Sequence, residues 1–247
     1  MLPFSLVIIT FNESKNIEDC IQSVKNICSE ILVLDSFSTD NTRELAEAAG
    51  AKVFTHVFDG HIQQKNRAKD LAKNNWVLSL DADERLSEEL VHSIEEVLKN
   101  PKADGYFMNR LNHYKGKPIR GCGWYPDAKL RLWKKDAGKW GGQNPHDRFE
   151  LFAGNTGFLD GDILHFTYAN KAAMLKQIEK FANISAEQNK NRSIFYLTGK
   201  MVFSSFFKFI KTYFFQSGIA YGKDGFDVCY QQAREVYLKY FRAIKLK

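Results

Sequence analysis

Trp76-Val77-Leu78-Ser79-Leu80-Asp81-Ala82-Asp83-Glu84-Arg85 sets an apolar run of strand length against three carboxylates that end it abruptly. Such a run predicts a strand buried in a sheet. Asp81 and Asp83 flank the small Ala82, so at the mouth of that strand their side chains can enter one pocket. Two hard oxygen donors so placed suit Mg2+ or Mn2+, an ion that keeps positions free for substrate phosphates. The competing reading is that Asp81 only closes a strand while Asp83 and Glu84 open a solvated helix, because short acidic motifs recur by chance.

Upstream, the same rhythm repeats. Phe4–Thr10 is rich in apolar and β-branched residues, and Phe11-Asn12-Glu13-Ser14 ends it, with Ser14 able to cap a helix carrying Ile17, Cys20, Ile21 and Val24. Glu30–Asp35 is a second strand that ends in a carboxylate. A helix through Leu45, Ala46 and Ala49, closed by Gly50, leads to a third strand at 51–56, and 63–73 reads as the helix before Trp76. Helices and strands alternating at this pace predict an α/β domain with a mainly parallel sheet. Ligands of such sheets lie beyond the carboxyl ends of the strands, where this chain has Asn12 and Glu13, Asp35 and Ser36, and Asp81 and Asp83. Singly each could be a turn residue or helix cap; together they predict a site. No G-x-G-x-x-G, G-x-x-x-x-G-K-[ST] or G-x-S-x-G occurs, which counts against a dinucleotide fold, a P-loop and an α/β-hydrolase.

The 247 residues, 44% hydrophobic and 26% charged, suffice for one substantial core. Four cysteines without C-x-x-C spacing read as reduced thiols of a cytoplasmic protein, and no signal-peptide pattern opens the chain. The net charge of +6 is unevenly spread: residues 1–100 hold 10 Lys/Arg against 17 Asp/Glu, and 101–247 hold 25 against 12. The second part should therefore face something anionic, whether nucleic acid, membrane or a phosphorylated glycolipid.

Ser5–Glu13 (SLVIITFNE), Ile31–Thr42 (ILVLDSFSTDNT), Gln64–Asn66 (QKN) and Trp76–Glu84 (WVLSLDADE) resemble the successive motifs of glycosyltransferase family 2, with the GT-A fold. Tyr125–Trp133 (YPDAKLRLW), Pro145-His146-Asp147 and Leu164–Tyr168 (LHFTY) extend the resemblance to a lipopolysaccharide core subgroup, whose members add glucose to an inner-core heptose. It covers most of residues 4–190; the subgroup usually has His-Glu where this chain has His146-Asp147. The resemblance implies a metal-dependent, inverting hexosyltransferase moving glucose from a UDP-sugar to a lipid-linked core oligosaccharide. It implies that Thr10, Asn12, Glu13, Asp35, Ser36, Lys65, Asp81 and Ala82 line the nucleotide-sugar pocket, with Asp35 accepting from the uracil ring. It further implies that Asp83 ligates Mg2+ or Mn2+, and in some relatives a late His, here His165, completes the metal shell. Lys65 as an exposed helical lysine and His165 as a core residue remain the alternatives. An inverting transfer needs a base for the acceptor hydroxyl, and Asp147 is the candidate ahead of Asp127 and Glu150. Rival functions are transfer to a polyprenyl phosphate or another surface polysaccharide, or a non-catalytic nucleotide-sugar-binding protein.

The middle of the chain reads as strands at 104–114 and 129–133 around a Gly/Pro-rich loop, 116–126, suited to acceptor recognition. Arg120, Arg131, Lys134 and Lys135 could face acceptor phosphates or form a solvated basic surface. Three glycines and a proline in 138–145 predict a mobile loop. An amphipathic helix is expected at 172–189, and a GT-A domain is expected to end near residue 192. The aromatic, lysine-punctuated 193–247 should form a helical extension. Its lysines argue against a spanning helix and for one lying on the anionic inner face of the cytoplasmic membrane; packing on the domain or in a homo-oligomer is the alternative. Its aromatics recur at helical spacing, not as stacking platforms, so a nucleic-acid partner is not expected.

Overall fold

The computed structural model describes residues 1–143 and 146–247, His146 by its backbone alone. By its internal packing the chain divides into two compact units, residues 1–110 with 127–165, and residues 111–126 with 166–247. The second unit thus takes in more than the stretch beyond residue 192.

In the first unit the expected apolar runs are β1 (Leu2–Thr10), β2 (Cys28–Asp35), β3 (Lys52–Thr55) and β4 (Trp76–Asp81), paired in parallel in the order β3-β2-β1-β4. Between them lie α1 (Ile17–Gln22), α2 (Thr42–Ala48) and α3 (His61–Leu71). Alternation along β1 serves two cores, as the pleat requires. Leu6 and Ile8 pack with Ile17, Cys20, Ile21 and Ala46, while Val7 packs with Ala68, Ala72 and Trp133. The register sets Thr10 opposite Asp35 and Ile9 opposite Asp81, so three strand ends share one rim.

One local expectation is corrected, and one competing reading is set aside. α1 starts at Ile17 instead of after Ser14, whose amide donates to Asp40 at 3.2 Å across to the α2 loop. Asp83 and Glu84 do not open a helix: Glu84 begins β5 (Glu84–Leu86), and α4 (Glu88–Lys99) starts after Ser87, whose Oγ accepts from the Leu90 amide at 3.2 Å.

Onward come β6 (Gly105–Tyr114), β7 (Lys117–Pro118), β8 (Ala128–Lys134), β9 (Gly138–Gln143), β10 (His146–Leu151) and β11 (Thr156–Tyr168). The sheet continues β4-β8-β6-β11-β5, with β8 antiparallel to both β4 and β6 and β5 antiparallel to β11. β9 and β10 form an antiparallel hairpin where a mobile loop was expected; residues 144 and 145 of that stretch lie outside the described residues. The glycines there serve close approach. A Cβ at Gly138 would overlap the Glu150 carbonyl. The hairpin is fixed by Trp140, whose amide and carbonyl both bond the Asn66 side chain, at 2.9 and 3.0 Å, and by Phe149, stacked on Trp133 at 3.8 Å.

The second unit holds α5 (Lys171–Asn189), α6 (Ile194–Gly199), α7 (Ser205–Ile210) and α8 (Gly222–Lys245). A wider π turn at Lys200–Ser204 joins α6 and α7 into one helical path, which a second at Lys211–Phe215 continues. Tyr114, Ile119, Cys122, Met174, Ile178, Val228 and Cys229 form this unit's core. No helix among the described residues is long and apolar enough to cross a membrane.

Candidate active site

Thr10, Asp35 and Asp81 stand side by side because three parallel strands end in register. Asp81 is the most constrained. Its amide donates to Glu84 Oε2 at 2.9 Å, while its carboxylate meets Lys65 Nζ at 3.0 Å and Arg131 Nη2 at 2.9 Å. Burial alone would raise its pKa, but the two cations override it and hold Asp81 well below the usual carboxylate range.

Lys65 is no exposed helical lysine. It is 6% exposed, lies 4.5 Å from the centre of the Trp140 ring, and bridges Asp81 to Asp147, whose Oδ2 is 2.8 Å away. α3 supplies this ammonium and the β9–β10 hairpin supplies Asp147, so the hairpin brings the candidate base to the strand ends. Asp83, on the turn after β4, lies with Oδ2 3.2 Å from His165 Nε2. The register of β5 with β11 sets His165 opposite Glu84, beside Asp83. Glu13 is held by Asn16 Nδ2 at 2.8 Å; burial, then the nearby Asp83, Asp40 and Asp81, push its pKa up against that bond.

The remaining candidates lie in the loops at the rim. Asp35 is fully buried and accepts from Thr10 Oγ1 at 2.9 Å and from the Ser38 amide at 2.8 Å, so it ties β1 to the loop before α2. Asn12 adopts a left-handed backbone (φ 57°), and its Oδ1 accepts from the Thr39 amide at 2.8 Å. Ser36 Oγ accepts from Gln64 Nε2 at 2.9 Å, and Ala82 is buried in the turn between the two aspartates. Asp127 pairs with Arg110 and Lys129, at 2.9 and 2.8 Å, and Glu150 with Arg148 at 2.8 Å.

Two residues carry more than their sequence suggested. Glu84, with no exposed surface, is a counter-ion: its Oε1 lies 3.0 Å from Arg131 and 3.6 Å from Arg110. Arg131, expected among residues facing acceptor phosphates, is 4% exposed and locked between Asp81 and Glu84. The signal was its place in Leu130-Arg131-Leu132-Trp133, a charge inside an apolar strand. Lys134 pairs with Asp104 at 2.8 Å and Lys135 bonds the Ala72 carbonyl at 2.6 Å, so they too are engaged within the protein.

Asp83 and His165 fit a divalent cation as a two-donor set. No group of three or more His, Cys, Asp or Glu that could hold a metal occurs among the described residues. The missing positions would fall to diphosphate oxygens and water, the usual habit of Mg2+ in such sites.

The fold and the rim place the chain among α/β enzymes whose chemistry sits beyond parallel strand ends. Residues 5–160 match the family model for glycosyl transferase family 2. An uncharacterised glycosyltransferase of Rickettsia prowazekii is 30% identical over 271 residues, covering 100% of this chain and 89% of its own. Another from Rickettsia conorii is 32% identical, covering 98% and 91%. The lipopolysaccharide core biosynthesis glycosyltransferase LpsC of Rhizobium meliloti is 28% identical over 229 residues, covering 86% and 81%. Glucosyl-3-phosphoglycerate synthase from Mycobacterium tuberculosis, solved with Mn2+, UDP and its product, is alike over 55% of this chain and 58% of its own. The identity is 20% and the TM-score 0.43. The chain belongs to glycosyl transferase family 2, and it is a glycosyltransferase.

Proposed function

We propose that the protein transfers a hexose, glucose foremost, from a UDP-sugar to a hydroxyl of a lipopolysaccharide inner-core acceptor, with inversion and with Mg2+ or Mn2+. The observation that carries this reading is the Asp81–Lys65–Asp147 bridge with the Asp83–His165 pair beside it. The name of the Rhizobium relative supports the acceptor class.

The chain's own residues divide the work. Asp147 accepts the proton as the acceptor oxygen attacks the anomeric carbon and the bond from that carbon to the diphosphate breaks, in one displacement. Lys65 orients Asp147 and places positive charge where the leaving diphosphate develops negative charge. Arg131 and Glu84 fix Asp81, so the rim keeps its shape when substrates bind. Thr10, Asn12, Glu13, Asp35 and Ser36 shape the nucleoside end of the cleft. Asp83 and His165 would hold the cation, which when bound neutralises charge on the departing UDP.

The second unit would keep the enzyme peripheral on the inner face of the cytoplasmic membrane. Residues 193–247 hold nine Lys/Arg against three Asp/Glu, and Phe195, Phe203, Phe206, Phe207, Phe214 and Phe215 are exposed there.

The test is a panel of nucleotide sugars, with and without Mn2+, followed by product masses on truncated core oligosaccharides. UDP-glucose should be consumed, and Asp83→Ala should abolish transfer and remove the Mn2+ dependence of UDP binding. Full turnover by Asp83→Ala, or by wild type in excess chelator, would overturn the metal assignment.

A further inference from the structure

Within the second unit α7 and α8 enclose a groove of about 580 Å³, the size of a site for a small apolar ligand. Phe226, Tyr230, Ala233 and Tyr237 form a stripe along α8, and Phe206 and Phe209 form the facing wall. The rings are ordered against each other: Phe209 meets Phe226 edge-on at 5.7 Å, and Phe226 stacks on Tyr230 at 6.0 Å. Yet Phe206, Phe226 and Tyr230 are each 45% exposed or more. An aromatic-lined groove left open to water on this scale marks a binding surface.

Charge decides the occupant. Residues 194–215 contain Lys200, Lys208 and Lys211 and no acid, and none of the three is ion-paired among the described residues. Lys208 is partly desolvated beside Lys211, and together these lower its proton affinity against the pull of Glu235 on α8. Arg234, at the groove wall, binds Glu179 at 2.7 Å through Nη2 while its buried Nη1 has no acceptor. A second copy seated by a two-fold axis would bring the same lysines against each other. A leaflet with anionic phosphates answers the cations, and tyrosines such as Tyr230 and Tyr237 favour that interface.

We propose that the α7–α8 groove takes one acyl chain of an anionic phospholipid leaflet, with Lys200, Lys208 and Lys211 against its phosphates. This rests on the membrane-surface reading above and adds to it a defined hydrocarbon site.

The full chain is titrated with dansyl-tagged undecanoic acid as a single-chain probe, and floated with phosphatidylglycerol or phosphatidylcholine vesicles. Wild type should bind the probe saturably and float with phosphatidylglycerol alone. Ala233→Trp, which fills the groove, should weaken probe binding about tenfold, the loss of roughly two buried methylenes. Tyr230→Ser, which removes an exposed ring from the groove, should weaken probe binding likewise and serves as the test where the tryptophan impairs folding. Vesicle flotation with unchanged probe binding in both variants would overturn the groove and leave the membrane reading standing. Probe binding without flotation would overturn the membrane reading, and the leaflet as the source of the chain with it. A dimer that Ala233→Trp dissociates would assign the groove to a second copy and overturn the proposal.

Discussion

Lys65 shows how much one buried cation can organise. It neutralises Asp81 on the strand end and orients Asp147 on the hairpin, so its loss strands two carboxylates at once. Lys65→Met should cost about 3 kcal/mol in denaturant unfolding, the usual penalty for breaking a buried pair from one side, and should remove turnover. Asp147→Asn is the cleaner probe, since it keeps the shape and removes the proton acceptor. UDP affinity should stay within about threefold while turnover falls about a hundredfold; a near-wild-type rate would show that another group is the base. The acids at strand ends were legible because strand periodicity and a carboxylate at each end converge on one rim. The Asp83–His165 proximity was implied by resemblance alone, since 82 residues separate the two. Arg131 was misread, because a sequence shows a charge but not the buried acids that neutralise it.

At the scale of elements, the parallel strands and their helices were legible from apolar runs, but the β9–β10 hairpin was not. Glycines there allow backbone approach to Glu150, which from sequence is indistinguishable from mobility. The amino-terminal end of β2 carries its own titration. Glu30 on β2 accepts from Ser5 Oγ at 2.7 Å and from the Lys73 amide at 2.8 Å, with Lys52 at 3.5 Å. Burial would raise its pKa; the two hydrogen bonds and Lys52 together pull it below the ordinary 4.5. The stabilisation is therefore complete above pH 4.5 and fades as pH falls through the depressed value. Glu30→Gln should lose about 1–2 kcal/mol at pH 7. Urea unfolding of the pair should converge as the solution is taken well below pH 4.5; a constant gap would show that the charge contributes nothing.

Across the whole molecule the acidic first hundred residues and the basic remainder divide the protein's charge. That asymmetry, read from composition, coincides with acids gathered at the strand ends and with three lysines on the helical path that make no ion pair among the described residues. Attraction to an anionic surface by such lysines is screened within about 8 Å at physiological salt. Flotation with phosphatidylglycerol vesicles should therefore fall steeply as salt is raised toward molar concentration. Salt-insensitive flotation would mean that the exposed aromatic rings alone hold the protein there.

The second unit is discontinuous in sequence, built from 111–126 and 166–247. During translation its first piece leaves the ribosome while its partners are still unmade, so Tyr114, Ile119 and Cys122 wait uncovered until α8 supplies Val228 and Cys229. The second unit can therefore close only once α8 has been made, and a chain released before then would present uncovered apolar surface to chaperones and proteases.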